Sequence, residues 1–217
     1  MVLAEGDLSA AVRDLVMTHR DRLERYIAAH PGFRESLVPV FVPPIAPGVV
    51  RAMAAAGEAA GVGPMAAVAG AIAEAVGAGL VGESPNLIIE NGGDLYLATT
   101  RERTVGLYTG DARIDGAVGI RVGADRSPLG ICTSSGRIGH SLSFGDAASA
   151  TVIASSCALA DAAATAVGNV VRGRSGLQEG LRAAAAIPGV TGAVVTRGGE
   201  LGAWGDVELV RLGGGAA

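Results

Sequence analysis

Asn86-Leu-Ile-Ile-Glu90-Asn-Gly-Gly-Asp94-Leu-Tyr-Leu-Ala-Thr99 contains two short apolar runs separated by Asn-Gly-Gly. Each run is too brief for a helix, and Asn-Gly between such runs marks a hairpin turn. Further strand-like runs punctuated by glycine follow at Thr104–Leu107, Ala117–Val122, Gly130–Thr133 and Ser149–Ala154. Strands that arrive in a block, rather than alternating with helices, predict an α+β fold: a layered, mainly antiparallel sheet with packed helices. A doubly wound parallel sheet is disfavoured.

Helical patterns flank the block. From Leu8 to about Ala29, the apolar residues Leu8, Val12, Leu15, Val16, Leu23 and Ile27 recur at helical spacing, as on an amphipathic surface helix. Pro47 opens a helix running to about Ala60, and Pro64 opens another from Met65 to about Val81. Glu74 is the only charge in that second helix, which predicts burial over most of its circumference against a sheet. Ala158 to about Val171 and Leu177–Ala186 are helical, and Val190–Thr196, Leu201–Trp204 and Glu208–Leu212 read as closing strands. The prolines in Val38-Pro-Val-Phe-Val-Pro-Pro44 hold that segment extended, which suits a sheet edge. Gly61-Val-Gly-Pro-Met-Ala66 approaches a dinucleotide fingerprint but lacks the third Gly, and reads as a turn plus a helix start.

Composition narrows the function classes. The 217 residues carry no Ser/Pro-rich or charge-rich linker and are expected to form one domain over residues 1–217. All 17 basic residues are Arg, so a Schiff-base lysine, a lysine base and a Walker lysine are excluded. A net charge of −4 with scattered arginines argues against nucleic-acid binding. The apolar stretches around Met65–Val81 and Ala147–Val171 are interrupted by Gly, Glu74 or Asp161, which argues against a membrane span. The start has neither the basic region nor the apolar stretch of a secretory leader, so a cytoplasmic protein is expected. Cys132 and Cys157 make neither a disulfide framework nor a tetrahedral metal pattern.

Three constellations could carry chemistry. In Glu90-Asn91-Gly92-Gly93-Asp94, two glycines allow a sharp turn whose exposed amides can bind phosphate; the alternative is a plain hairpin turn. Cys132-Thr133-Ser134-Ser135-Gly136 ends a strand with grouped hydroxyls and amides that can hold phosphate oxygens. Cys132 itself reads more readily as a small buried hydrophobe than as a nucleophile, and His140 as a hydrogen-bonding residue than as a base. The third constellation is Asp161 and Thr165, four apart in an Ala-rich helix and so projecting from one face. A carboxylate among Ala and Leu is costly to bury unless paired or coordinated, and a carboxylate with a hydroxyl, carbonyls, waters and ligand phosphates suits Mg²⁺. The alternatives are that Asp161 caps a neighbouring element or pairs with an arginine.

In this order, Gly92-Gly-Asp94, the Thr-Ser-Ser-Gly136 strand end and Asp161-Ala-Ala-Ala-Thr165 resemble the ApbE-like superfamily, whose type member is the FAD:protein FMN transferase. The resemblance spans about residues 60–172. Val62-Gly-Pro-Met-Ala-Ala-Val-Ala-Gly70 and His140-Ser-Leu-Ser-Phe-Gly145 look like its short, uncharacterised prokaryotic branch, found in methanogens and anaerobic bacteria. The resemblance implies a T-fold-like layered architecture whose cleft holds FAD, with Mg²⁺ on Asp161 and Thr165 as metal-binding and catalytic residues. It also implies a flavin-side contact at Gly92, Gly93 and Asp94, a ligand contact at Ser134, Ser135 and Gly136, and a partner protein accepting FMN on a hydroxyl. Two departures stand out: the transferases carry His-x-x-Asp-Pro-x-Thr-Gly where this chain has the shorter stretch from His140, and they place Asn where it has Glu90. The expected function is binding of a flavin or other phosphate-bearing ligand with Mg²⁺, extending to transfer of FMN or a phosphoryl group. The alternative is a non-catalytic accessory protein in anaerobic, sulfur-linked metabolism. Homodimerisation is the prior for its assembly.

Overall fold

The computed structural model describes residues 1–135 and 145–213. In chain order its elements are β1 (Val2–Leu3), α1 (Ser9–Ala29), α2 (Gly32–Glu35), α3 (Gly48–Ala60), a 3₁₀ turn (Pro64–Ala67), α4 (Val68–Leu80), β2 (Leu87–Asn91), β3 (Asp94–Ala98), β4 (Arg103–Gly106), β5 (Val118–Val122), β6 (Leu129–Ser134), β7 (Ser149–Ala154), α5 (Cys157–Val170), α6 (Gly176–Ala186), β8 (Val190–Arg197), β9 (Glu200–Gly205) and β10 (Glu208–Arg211). The expected α+β class holds. Seven strands form one sheet in the order β1-β2-β3-β6-β7-β8-β9, with every pairing antiparallel. A second sheet, β10-β5-β4, is also antiparallel.

Three layers follow from how the strands alternate. One face of the large sheet presents Leu87, Ile89, Tyr96, Ala98, Cys132 and Ala154 to the helices. The other presents Leu95, Leu97, Leu129, Ile131 and Ile153 to Val105, Ile120 and Val122 of the small sheet. A separate apolar cluster joins α5 and α6 to β7 and β8.

The helix predicted from Met65 starts as a 3₁₀ turn and becomes α-helical at Val68. The segment at Val38–Pro44 joins no sheet; its three prolines lack the N–H that a ladder needs, and Arg51 Nη1 instead donates to the carbonyls of Pro44 (2.9 Å) and Ala46 (2.7 Å). The edge is taken by Val2–Leu3, pairing with Ile88 and Ile89. Among the described residues no single helix is long and apolar enough to cross a membrane; the apolar pair Gly48–Ala60 and Pro64–Leu80 is bent by 108°.

Candidate functional site

The hairpin read at Gly92–Gly93 is formed. Asn91 pairs with Asp94 across a two-residue turn in which Gly92 (φ 66°) and Gly93 (φ 102°) are both left-handed, a conformation costly for residues with a Cβ. Asn91 Nδ2 donates to the Ala69 carbonyl at 3.1 Å, tying the turn to the start of α4. This places Asp94 at the helix-facing surface of the sheet, 6% exposed.

Across from it stands Asp161. Gly70 lets α4 and α5 approach closely, since a Cβ there would run into the Cys157 carbonyl oxygen and come within 2.8 Å of Asp161 Cβ. The Gly70 amide donates to Asp161 Oδ2 at 2.8 Å. Gly70 is the third residue of α4, a helix with no capping side chain of its own, so Asp161 supplies the cap from α5. The capping alternative is therefore realised, with the Gly70 amide on Oδ2. Both acids are pushed up by burial. Asp94 rises to about 7, although the Cys132 thiol and the Thr133 amide (3.3 Å) partly hold it down. Asp161 rises well above the ordinary carboxylate range, first by burial and then by the Asp94 charge, against the amides of Gly70 and Ala69. Among the described residues no arginine forms an ion pair with either acid.

The two acids open onto a cavity of about 300 Å³, lined also by Thr165, Asn169, Arg34, Ser36, Leu37, Val62, Gly63, Met65, Ala66, Val68 and Ala69. Among the described residues no group of three or more His, Cys, Asp or Glu is placed to hold a metal by itself. The oxygen set of Asp161, Thr165 and Asp94 nevertheless fits Mg²⁺, which takes one or two carboxylates and completes its shell with waters and ligand phosphates. Two acids facing each other without a counter-charge among the described residues are costly when ionised, and a divalent cation relieves that cost.

The remaining predicted residues divide between the two faces of the sheet. Strand alternation puts Glu90 and Thr133 on the face opposite Asp94, where they line a second cavity of about 380 Å³ with Gly92, Gly93, Leu95, Tyr108 and Ser135. Thr133 Oγ1 is hydrogen-bonded to Thr151 Oγ1 at 2.9 Å, and Ser135 Oγ donates to the Ala148 carbonyl at 2.9 Å. Cys132, grouped with the ligand-binding residues from sequence, has no exposed surface and lines neither cavity. Its thiol donates to the Cys157 carbonyl (3.3 Å) and lies 3.5 Å from Cys157 Sγ, and burial raises its pKa, so it stays a neutral thiol behind the cavity wall. Ser134 faces α5, its Oγ 3.8 Å from where a Cβ on Gly168 would lie. Gly136 and His140 lie outside the described residues. Of the aromatic side chains near these motifs, Tyr96 is buried against Gly77 while Tyr108 stands exposed in the second cavity. Arg34, which also lines the first cavity, lies between the helix read to about Ala29 and the extended segment read from Val38, where no candidate residue was named.

An α+β fold with an acid-lined cavity between helix and sheet defines the class. A family profile described as AbpE bacteria matches residues 1–188, and the chain belongs to this ApbE-like family. It is 49% identical over 163 residues to a UPF0280 protein of Methanocaldococcus jannaschii, covering 74% of this chain and 66% of that protein. It is 41% identical over 202 residues to a UPF0280 protein of Methanosarcina barkeri, covering 92% and 79%. The crystal structure of the ApbE protein of Thermotoga maritima has a similar fold, with a TM-score of 0.50 at 14% identity over 65% of this chain and 50% of that one. The chain thus spans just under two thirds of the first relative and half of the solved structure.

Proposed function

We propose that the cavity between β3, α4 and α5 binds a flavin nucleotide through Mg²⁺ held by Asp161 and Thr165, and that the bound nucleotide donates FMN to a hydroxyl of an acceptor protein. The observation that carries this reading is the facing pair Asp94 and Asp161, both deep and without a cationic partner among the described residues, at a cavity that also holds Thr165. The flavin itself rests on the motif resemblance.

Bound there, Mg²⁺ supplies charge neutralisation for the pyrophosphate and for the leaving AMP. The chain's own residues do the positioning. The amides of Gly70 and Ala69 fix the Asp161 carboxylate at the cavity wall. Asn91 and the Gly92–Gly93 turn hold Asp94 at the cavity wall. In the transfer, the acceptor oxygen bonds to the FMN phosphorus as the bond to the AMP oxygen breaks, and the hydroxyl proton is released.

The test is titration of the protein with FAD with and without Mg²⁺, following flavin fluorescence, with AMP measured by chromatography. Asp161→Asn, which keeps an acceptor for the Gly70 amide, is run alongside. Saturable binding that needs Mg²⁺ and is lost in the variant is expected. Undiminished binding in Asp161→Asn would remove Asp161 from the site, and retention of FAD without AMP would reduce the protein to a binding module.

A further inference from the structure

The cavity that holds the two acids does not end at α5. Its wall at Met65, Val68, Ala69 and Arg34 is shared with a larger cavity of about 720 Å³ running between α1 and α4, past Ile27 and Ile72. Arg34 therefore stands where the two spaces meet. Its backbone is fixed: Phe33 is buried with its ring edge-on to Tyr26 at 5.3 Å, and the Arg34 amide donates to the Pro31 carbonyl at 3.0 Å. The chain just after it lies on the turn before α4, where a Cβ on Gly63 would run into the Ser36 carbonyl oxygen. At the rim of the larger cavity, Arg20 is already answered by Glu24 at 3.3 Å. Arg34 forms no ion pair among the described residues.

A cavity lined by two carboxylates and, where it meets the larger space, by a guanidinium with no ion pair among the described residues suits a ligand that brings both a cation and an anion. A metal-bound phosphate has that distribution, and guanidinium recognises phosphate through paired, charge-assisted hydrogen bonds. We infer that Arg34 is an anion-binding residue of this site, contacting a phosphate of the ligand at the junction of the two cavities. The inference rests on the reading that the site takes a phosphate-bearing ligand; it adds a contact from the α1–α2 segment, which the motifs over residues 60–172 do not include.

The experiment compares wild type, Arg34→Gln, Arg34→Lys and Asp161→Asn using three probes: Mn²⁺ alone, inorganic pyrophosphate with Mg²⁺, and FAD with Mg²⁺. Arg34 is exposed, so its variants keep the fold. Arg34→Gln is expected to weaken pyrophosphate and FAD about tenfold or more, with Arg34→Lys recovering part of the loss. Mn²⁺ binding alone should be unchanged in both. If Arg34→Gln binds both phosphate probes as wild type does while Asp161→Asn loses them, the inference is overturned and the functional reading survives. Arg34-dependent binding of pyrophosphate without any binding of FAD sustains the inference and overturns the flavin reading. Failure of the wild type to bind either phosphate probe overturns both.

Discussion

Asp161 of α5 and Glu74 of α4 are acids set in neighbouring Ala-rich helices, and each caps the helix the other belongs to. Glu74 Oε2 accepts from Ser156 Oγ (2.9 Å) and from the Ala158 amide (3.0 Å) at the start of α5, as Asp161 accepts from Gly70 at the start of α4. The difference lies in what stands opposite. Glu74 meets hydroxyl and amide donors, whereas Asp161 also faces a second buried acid, Asp94, and a cavity. An acid in an apolar helix is therefore not by itself the mark of a site; a second uncompensated acid across from it is.

The comparison breaks most visibly at ligand binding. Asp161→Asn should weaken Mg²⁺-dependent FAD binding by about 3 kcal/mol, roughly a hundredfold, while leaving the melting temperature unchanged or raised. Glu74→Ala should do the converse, costing about 1–3 kcal/mol by leaving the Ser156 and Ala158 donors without their partner, with FAD affinity intact in a folded sample. Calorimetry of both variants decides it; equal effects on binding would end the distinction. Gly70→Ala forces a methyl onto the Cys157 carbonyl and Asp161, and overpacking of that kind costs about 1–3 kcal/mol, partly offset by helix propensity. Thermal melts should show a net loss and weaker Mg²⁺ binding together.

A further effect is a pH slope. Asp94 sits at about 7 when folded, against 3.8 ordinarily, so between those values the folded state keeps a proton that the unfolded chain releases. Its contribution to stability is fully present below about 3.8 and is lost as pH rises through about 7. Metal-free protein should accordingly melt at a lower temperature at pH 8 than at pH 5.5, and Asp94→Asn should flatten that dependence. Added Mg²⁺ should raise the melting temperature more at pH 8 than at pH 5.5, because it binds the ionised pair.

Much of the architecture was legible because its determinants are local. Ser149–Ala154 reads as a run of small and β-branched residues and is a strand with those limits; the Gly92–Gly93 turn announces itself by composition. β5 and β10 were each legible as strands but carry no mark of their pairing with one another, and Val2–Leu3, which pairs with β2, is too short to carry a pattern of its own. The site divides in the same way. Asp161 and Thr165 are related by helical spacing and were visible together, whereas the meeting of Asp161 with Asp94 is a tertiary contact with no local trace. One separation was available from alternation alone: Glu90 and Asp94 pair with Leu95 and Asn91 across the same hairpin and so belong to opposite faces.

The Asp161 carboxylate joins the cavity to the peptide group of Gly70. Any occupant that draws on the carboxylate polarises the oxygen that accepts from Gly70, and with it that hydrogen bond. Its proton is thus an internal gauge of occupancy: its chemical shift and its exchange with deuterium would register a ligand's arrival in a nuclear magnetic resonance spectrum with no label attached to the ligand itself.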